Sequence, residues 1–328
     1  MKALVTGGGG FLGKAIVQRL QARGDDVQSF SRGDYPELRA LGVTIHQGDL
    51  ADAEAVRRAA EGCDIVFHVA AKPGIWGPYQ EYYRTNVVGT ESVLAACRHH
   101  GIARLVFTST PSVVFNGQDQ EGIDESAPYP EHYHAYYPKT KAIAERLVLE
   151  ANDDKLATVV LRPHLIWGPG DHHLIPRILA RARAGMLRRI GTRDKLVDCV
   201  YIDNAADAHL LAADRLLPRT PIAGKAYFIS QGEPWPLWDL INAILKAADL
   251  PPVTRTISPS LAYAVGWAFE LAYGLLRLQS EPRMTRFLAE ELSTAHWFNI
   301  DAARRDLGYD PSVSIDEGLR RLRESLKE

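Results

Sequence analysis

The sequence predicts an α/β fold, a doubly wound parallel sheet followed by a smaller C-terminal lobe. Short apolar runs alternate with helical patterns through the first half of the chain, as in a parallel sheet covered by helices on both faces. A glycine-rich turn joins the first apolar run to the first helical stretch. Beyond Pro163 the alternation loosens into Gly- and Pro-rich loops and further helices.

Ala3–Val5 reads as the first strand, followed by "FLGKAIVQRLQARG", where Phe11, Ile16, Val17 and Leu20 form one apolar stripe. Val27–Phe30 and Val43–Gln47 are the next strands, and Asp52 is placed to cap a helix over "ADAEAVRRAAEG". Ile65–His68 is the fourth strand. The long helical pattern "YQEYYRTNVVGTESVLAACRHHG" then carries Val87, Val88, Val93 and Leu94 before Gly101 stops it. Leu105–Thr108 is the fifth strand, a helix begins near Tyr136 with Pro138 in its first turn, and Thr158–Leu161 is the sixth strand.

Next come the loop "HLIWGPGDHHLIP", the basic helical run "RILARARAGMLRR", a strand at "KAYFIS" and a polar closing helix over "VSIDEGLRRLRESLKE". Residues 1–163 are therefore expected to form the sheet domain, completed by later segments near 197–230. Residues 164–328 are expected to supply mainly a substrate-binding lobe. The run "LAYAVGWAFELAYGLLRL", Leu261 to Leu278, is apolar almost all round apart from Glu270. It is shorter than the roughly 20 apolar residues that span a bilayer. It reads as a buried or lid helix in preference to an interfacial anchor, which leaves no stable membrane span and at most peripheral association.

Composition narrows the class. The 328 residues are 46% hydrophobic and 24% charged, as in an ordinary globular enzyme. A formal net charge of -2 gives no global footprint for nucleic acid. Cys63, Cys97 and Cys199 are sparse and show no CxxC spacing, which argues for a reducing compartment and against a disulfide framework or zinc site. His164, His172 and His173 resemble no ligand set, so no metal is expected. "MKALVTGGGG" runs directly into a strand without signal-peptide features, and the expected location is cytoplasmic.

The turn "TGGGGFLG" places Gly7, Gly10 and Gly13, with Phe11 and Leu12, between a strand and a helix. There the backbone can approach a pyrophosphate whose charge the helix N-terminus stabilises. An acid at the end of the second strand would bind a free ribose 2′-hydroxyl and repel a 2′-phosphate. This chain has Ser31 and Arg32 there, and a guanidinium suits a phosphate dianion. Asp34 lies close enough to compete if the turn shifts. The reading favours NADP(H) over NAD(H).

The fifth strand delivers Ser109, Thr110 and Ser112 at its carboxyl end, where ligands of open parallel sheets bind. Tyr137 and Lys141 lie four apart on the following helix and share a face. Tyr133 and Tyr136 have no cation at that spacing. A phenol with an ordinary pKa near 10 exchanges protons poorly at neutral pH, and a nearby ammonium stabilises its ionised form. A hydroxyl donated to the substrate oxygen shares the charge that develops there.

These motifs occur together with "GDL" at Gly48–Leu50, "HVAA" at His68–Ala71, "STPSVVF", "YPKTK" and "LRPHLIWGPGD". The combination resembles the extended short-chain dehydrogenase/reductase superfamily along nearly the whole chain. That resemblance implies a Rossmann-type sheet, Asp49 and Leu50 near an adenine, Ala70 and Ala71 along the cofactor, and Pro163 to Ile166, including Leu165, near the nicotinamide. It matches Thr110 to the catalytic hydroxyl, with Ser112 as the rival position, Tyr137 to the acid/base and Lys141 to its partner and ribose ligand. It also implies a homodimer formed through the helices that contain Asn86 and Tyr137.

"AAKPGIWGPYQEYYRTNVVGT" and "WFNIDAARRDLGYDPSVSIDEGLRR" resemble the 3β-hydroxysteroid dehydrogenase-like branch, which includes sterol-carboxylate dehydrogenases. "SRGDYPEL", "IWGPGD" and "YIDNAADAH" are most similar to its bacterial 2-alkyl-3-oxoalkanoate reductases. Those enzymes of long-chain olefin biosynthesis use NADPH to reduce a β-keto acid bearing two long alkyl chains. The expected reaction is reduction of a 3-oxo group on a bulky apolar substrate. Trp76, with Ile75 and Tyr79, is expected to roof the pocket, Lys72 to meet a substrate carboxylate or solvent, and Ser112 and His164 to face substrate. The alternatives are a steroid or sterol-carboxylate dehydrogenase, a nucleotide-sugar epimerase or dehydratase, and a non-catalytic NADP-sensing regulator.

Overall fold

The computed structural model describes residues 1–278 and 280–327. Seven parallel strands form the central sheet: β1 Lys2–Thr6, β2 Asp26–Ser31, β3 Thr44–Gln47, β4 Ile65–His68, β5 Arg104–Thr108, β6 Ala157–Pro163 and β7 Lys225–Ile229. Their spatial order is β7-β6-β5-β4-β1-β2-β3. The strand order reverses between β1 and β4, and the crevice outside the carboxyl ends of these two strands is where such sheets bind ligands.

The helices are α1 Phe11–Ala22, α2 Pro36–Ala40, α3 Ala53–Ala59, α4 Tyr79–Tyr83, α5 Gly89–His100, α6 Tyr136–Glu150, α7 Leu174–Arg183, α8 Ile202–Arg215, α9 Leu237–Ala247, α10 Pro259–Leu275, α11 Arg286–Glu291 and α12 Ile315–Ser325. Alternation along the strands divides the core. Ala3, Val5, Phe67, Val106 and Leu161 pack on the face that holds Ile16 and Val17 of α1 and Ala205 and Ala208 of α8. Leu4, Val66, Leu105 and Val160 pack on the face that holds Val56, Val93, Ala144 and Val148. Most buried positions on both faces are apolar because helices exclude water from each side of a parallel sheet, while Thr6, His68 and Arg162 are buried polar exceptions.

Local chemistry sets the element ends. Asp52 caps α3 by accepting from the N–H groups of Glu54 and Ala55 at 3.1 and 3.0 Å. Gly101 ends α5 at φ +66°, a left-handed conformation that costs glycine nothing. The single long helix expected over Tyr79–His100 exists, but Arg84–Val88 winds as a π-turn between α4 and α5. β7 comes from far beyond Pro163 and pairs with β6, Phe228 opposite Arg162. The later chain is thus woven into the sheet.

A second, four-stranded sheet orders Trp235–Pro236, Leu196–Val197, His296–Phe298 and Gln120–Ile123. Of the two expectations for Leu261–Leu278, a buried helix or a lid, the buried helix is overturned. Helix α10 buries only Ala262 and Gly266, while Leu261, Trp267, Leu271 and Leu275 are at least half exposed. Hydropathy alone cannot distinguish an apolar helix packed in a core from one whose partner lies outside the chain.

Candidate active site

The glycine turn lies against the end of β4. Gly7 has φ +71°, and a Cβ there would stand 2.9 Å from the Cα of Ala70. At Gly13 a Cβ would come within 2.1 Å of the Gly7 carbonyl oxygen. Both positions exclude side chains, so the backbone of the turn stays bare at the start of α1. Phe11 and Leu12 occupy the first turn of that helix, and the Gly10 N–H donates to Gly7 O at 2.9 Å.

A buried chain of hydrogen bonds holds the crevice. The Ala70 N–H donates to Thr6 Oγ1 at 3.2 Å, and Thr6 Oγ1 lies 2.8 Å from His68 Nδ1. His68 Nε2 lies 3.0 Å from Thr90 Oγ1, whose hydroxyl donates to Asn86 O at 2.7 Å. Thr90 therefore accepts from a protonated Nε2, and Nδ1 accepts from Thr6. Burial lowers the His68 pKa to about 3, so the ring is a neutral strut.

At the end of β2 the Ser31 hydroxyl is buried without a partner. An orphan of this kind suits a bound polar group. Arg32 is exposed, whereas Asp34 is held by Arg39 Nη2 at 2.9 Å. Asp49 accepts from the Ala51 N–H at 2.9 Å and from Arg84 at 3.3 Å. The Ala51 bond and the nearby Arg84 and Arg32 guanidinium groups hold its carboxyl below the usual range. Leu50 beside it is buried.

Across the crevice, α6 projects Tyr137, Lys141 and Glu145 from successive turns. Lys141 is buried, donates from Nζ to Thr108 O at 2.7 Å and sits 4.0 Å above the Phe107 ring centroid. Burial draws its pKa down to about 7, with Glu145 pulling it upward. Burial pushes Tyr137 up to about 12, and a hydrogen bond with Thr110 pulls it back. The sequence argument expects Lys141 to lower the phenol. The structure instead directs the ammonium at a carbonyl and a ring face, so desolvation governs both groups.

Thr110, two residues beyond β5, caps a short 3₁₀ turn, its Oγ1 donating to Ser112 Oγ at 3.2 Å and accepting from the Ser112 N–H at 3.3 Å. Thr110, Tyr137 and Lys141 thus converge, with Ser112 next to Thr110. Tyr133 is committed elsewhere, donating to Val113 O at 2.8 Å. Tyr136 is exposed and packs edge-on against Tyr79. Lys139 lies 5.4 Å from the Tyr79 ring centroid and so has an aromatic neighbour as well as solvent.

The residues expected at the substrate are more scattered. Lys72 Nζ pairs with Glu81 at 2.9 Å. Trp76 donates from Nε1 to Leu278 O at 3.1 Å and meets the Tyr273 ring edge-on, joining the loop after β4 to the end of α10. His164 is buried, with its Nε2 2.8 Å from His296 Nδ1 and its ring against Phe298. The sequence cannot reveal this packing, because His296 is 132 positions away. Pro163 is buried at the end of β6, Leu165 takes φ +43°, and Ile166 pairs with Val200. A non-glycine residue in that conformation is strained, and strained positions concentrate where ligands are clamped. Ala71 lies partly exposed just beyond β4.

Two buried groups escaped the sequence argument as parts of the site. Asn86 accepts from the Lys72 N–H at 2.7 Å and donates to Lys72 O at 3.2 Å and to Thr140 Oγ1 at 3.0 Å, tying the Ala70–Lys72 loop to α6. Glu145 accepts from Ser109, from Tyr129 at 2.7 Å and from Arg162 Nη2 at 2.5 Å. Asn86 carried a signal as an amide among valines, and Glu145 as an acid one turn beyond Lys141 on the apolar face. Among the described residues no cluster of three His, Cys, Asp or Glu is arranged to hold a metal ion.

Residues 4–260 match the profile of the 3-beta hydroxysteroid dehydrogenase/isomerase family. The chain is 55% identical to the 2-alkyl-3-oxoalkanoate reductase of Stenotrophomonas maltophilia, over 99% of both chains. It is 34% identical to the decarboxylating sterol-4-alpha-carboxylate 3-dehydrogenase of Mus musculus, over 99% of this chain and 90% of that protein. Among solved structures, a Thermus thermophilus UDP-glucose 4-epimerase in complex with NAD superposes with a TM-score of 0.74 at 25% identity. That match covers 100% of this chain and 99% of the other.

Proposed function

Because the chain belongs to the 3-beta hydroxysteroid dehydrogenase/isomerase family and is an oxidoreductase, we propose that it reduces the 3-oxo group of a 2-alkyl-3-oxoalkanoate with NADPH, giving the 2-alkyl-3-hydroxyalkanoate. The observation that carries this reading is the convergence of Thr110, Tyr137 and Lys141 beside the crevice between β1 and β4. The 55% identity to a reductase of that name supports the substrate class.

The residues present fit a dinucleotide. The bare glycine turn at the N-terminus of α1 would hold the pyrophosphate, and the unpartnered Ser31 hydroxyl and exposed Arg32 at the end of β2 would hold the adenosine ribose and its 2′-phosphate. Asp34, the competing acid, is already engaged by Arg39, which favours a 2′-phosphate over a free hydroxyl. When bound there, NADPH would supply a hydride for C3 of the substrate.

Thr110 hydrogen-bonds the substrate oxygen, and Tyr137 gives its phenolic proton to that oxygen as negative charge develops. A phenol pushed up to about 12 is protonated at neutral pH, as a proton donor must be. Lys141 would hold the nicotinamide ribose, and its ammonium, drawn down to about 7, is acidic enough to return the proton that Tyr137 gives up. His164, buried against His296 and Phe298, takes no part.

Replacing Tyr137 with Phe tests the assignment. Turnover of a 2-alkyl-3-oxo acid should fall by at least about 10²-fold, while NADPH binding measured by fluorescence stays within about threefold. Near-parent turnover by Y137F would remove the phenol from the mechanism. Comparing that substrate with a 3β-hydroxysteroid and a nucleotide sugar, under both cofactors, tests the substrate class.

A further inference from the structure

Exposed apolar side chains gather on one helix. Along α10, Leu261, Trp267, Leu271 and Leu275 are 50–76% exposed, and Leu276 beyond its end is 68% exposed. Single exposed apolar residues are ordinary, but a contiguous apolar face marks an interaction surface. The inward side of the helix is built for close docking on the protein. A Cβ at Gly266 would stand 2.6 Å from the carbonyl carbon of Thr285. The helix's one charged residue, Glu270, is satisfied from that side by the N–H and Nε of Arg286, both at 2.7 Å. The outward side carries no charge at all.

A basic rim borders this face. Between Leu174 and Arg193 the sequence holds six arginines and no acidic residue. The segment is fixed beside both ends of α10. Arg189–Ile190 pairs with Thr256–Ile257 just before its start, and Arg177 binds Glu281 at 2.9 Å just after its end. Arg183, Arg193, Arg255, Arg277 and Arg283 are exposed and make no ion pair among the described residues. A chain of net charge -2 thus gathers unpaired arginines around an exposed apolar helix.

We propose that this face docks on the surface of a lipid bilayer carrying anionic lipid, with α10 lying in the plane of the interface. An apolar helix bordered by arginines matches the boundary between acyl chains and anionic headgroups. At 17 residues the helix is about 25 Å long, too short for the hydrocarbon core, and no described helix qualifies as a span. A second copy of the chain is the weaker occupant. A two-fold interface would set each arginine rim against its own image. Trp76 joins the end of α10 to the loop after β4, so the docked face is continuous with the approach to the crevice.

The test is sedimentation of the full-length protein with phosphatidylcholine vesicles, with and without phosphatidylserine, together with tryptophan emission. The protein should sediment with phosphatidylserine vesicles, and its emission should shift to the blue. Leu271→Glu combined with Leu275→Glu should abolish binding while retaining turnover of a short-chain soluble substrate. Arg183→Glu combined with Arg277→Glu should weaken it by at least about tenfold. Failure to sediment with either vesicle overturns the proposal, as does binding that ignores phosphatidylserine. Self-association that L271E/L275E disrupts, without vesicle binding, would assign the face to a second copy. Loss of turnover in the parent would count against the proposed reaction and leave vesicle binding unaffected.

Discussion

Replacing Glu145 with Gln probes how the chain holds its central helix at the crevice. The Glu145 side chain is fully buried beside Arg162, which is 3% exposed. Burial opposes the Arg162 charge, and Glu145 together with Tyr129 more than offsets this, holding the guanidinium above its ordinary value. In E145Q that guanidinium keeps its charge but loses its counter-charge, and the amide NH₂ must face the donors of Ser109, Tyr129 or Arg162. Breaking one side of a buried pair costs about 3–5 kcal/mol. That is a large share of the roughly 5–15 kcal/mol that stabilises a typical protein. Chemical denaturation at neutral pH should register the loss, and the melting temperature should fall by roughly 10 °C.

The loss comes from an uncompensated charge, so E145Q/R162M should be markedly more stable than E145Q alone. A second readout follows the chemistry. Glu145 raises the pKa of Lys141, so in E145Q the Lys141 group should titrate below its parent value of about 7. The corresponding limb of the pH–rate profile should move to lower pH. A stability loss below about 1 kcal/mol, or a double variant no better than E145Q, would refute the argument.

Three further expectations concern separate parts of the molecule. Burial raises Asp198 to about 6 from an ordinary 3.8, so its neutral form contributes stability below 3.8 that is lost as pH rises through 6. D198N should therefore raise the melting temperature at pH 8 much more than at pH 4, with a limiting gain of about 3 kcal/mol; equal shifts at both would count against it. Arg32→Ala should lower kcat/KM with NADPH by about tenfold or more and leave NADH nearly untouched, and equal losses would remove Arg32 from cofactor choice. Asn86→Ala strands the part-buried Lys72 N–H and should cost about 1–3 kcal/mol in denaturation, with kcat falling as the loop and α6 uncouple; a silent variant would show that the loop needs no such tie.

The sequence by itself determined the sheet, its helices and the placing of Tyr137 and Lys141 on one face of α6. These are short-range matters: alternating apolar positions along a strand, a four-residue helical repeat, and glycines at a turn that admits no Cβ. Each is written in residues that stand near one another in the chain. Only the tertiary structure decided the rest. His164 meets His296 and Glu145 meets Arg162 because strands and helices distant in sequence converge. Tyr137 and Lys141 shift in opposite directions because the solvent each loses on burial outweighs the charge four residues away. In the apolar run after Pro259 the expectation of burial failed. Its hydropathy recorded that the helix needs an apolar partner, and the fold left most of that surface facing outward.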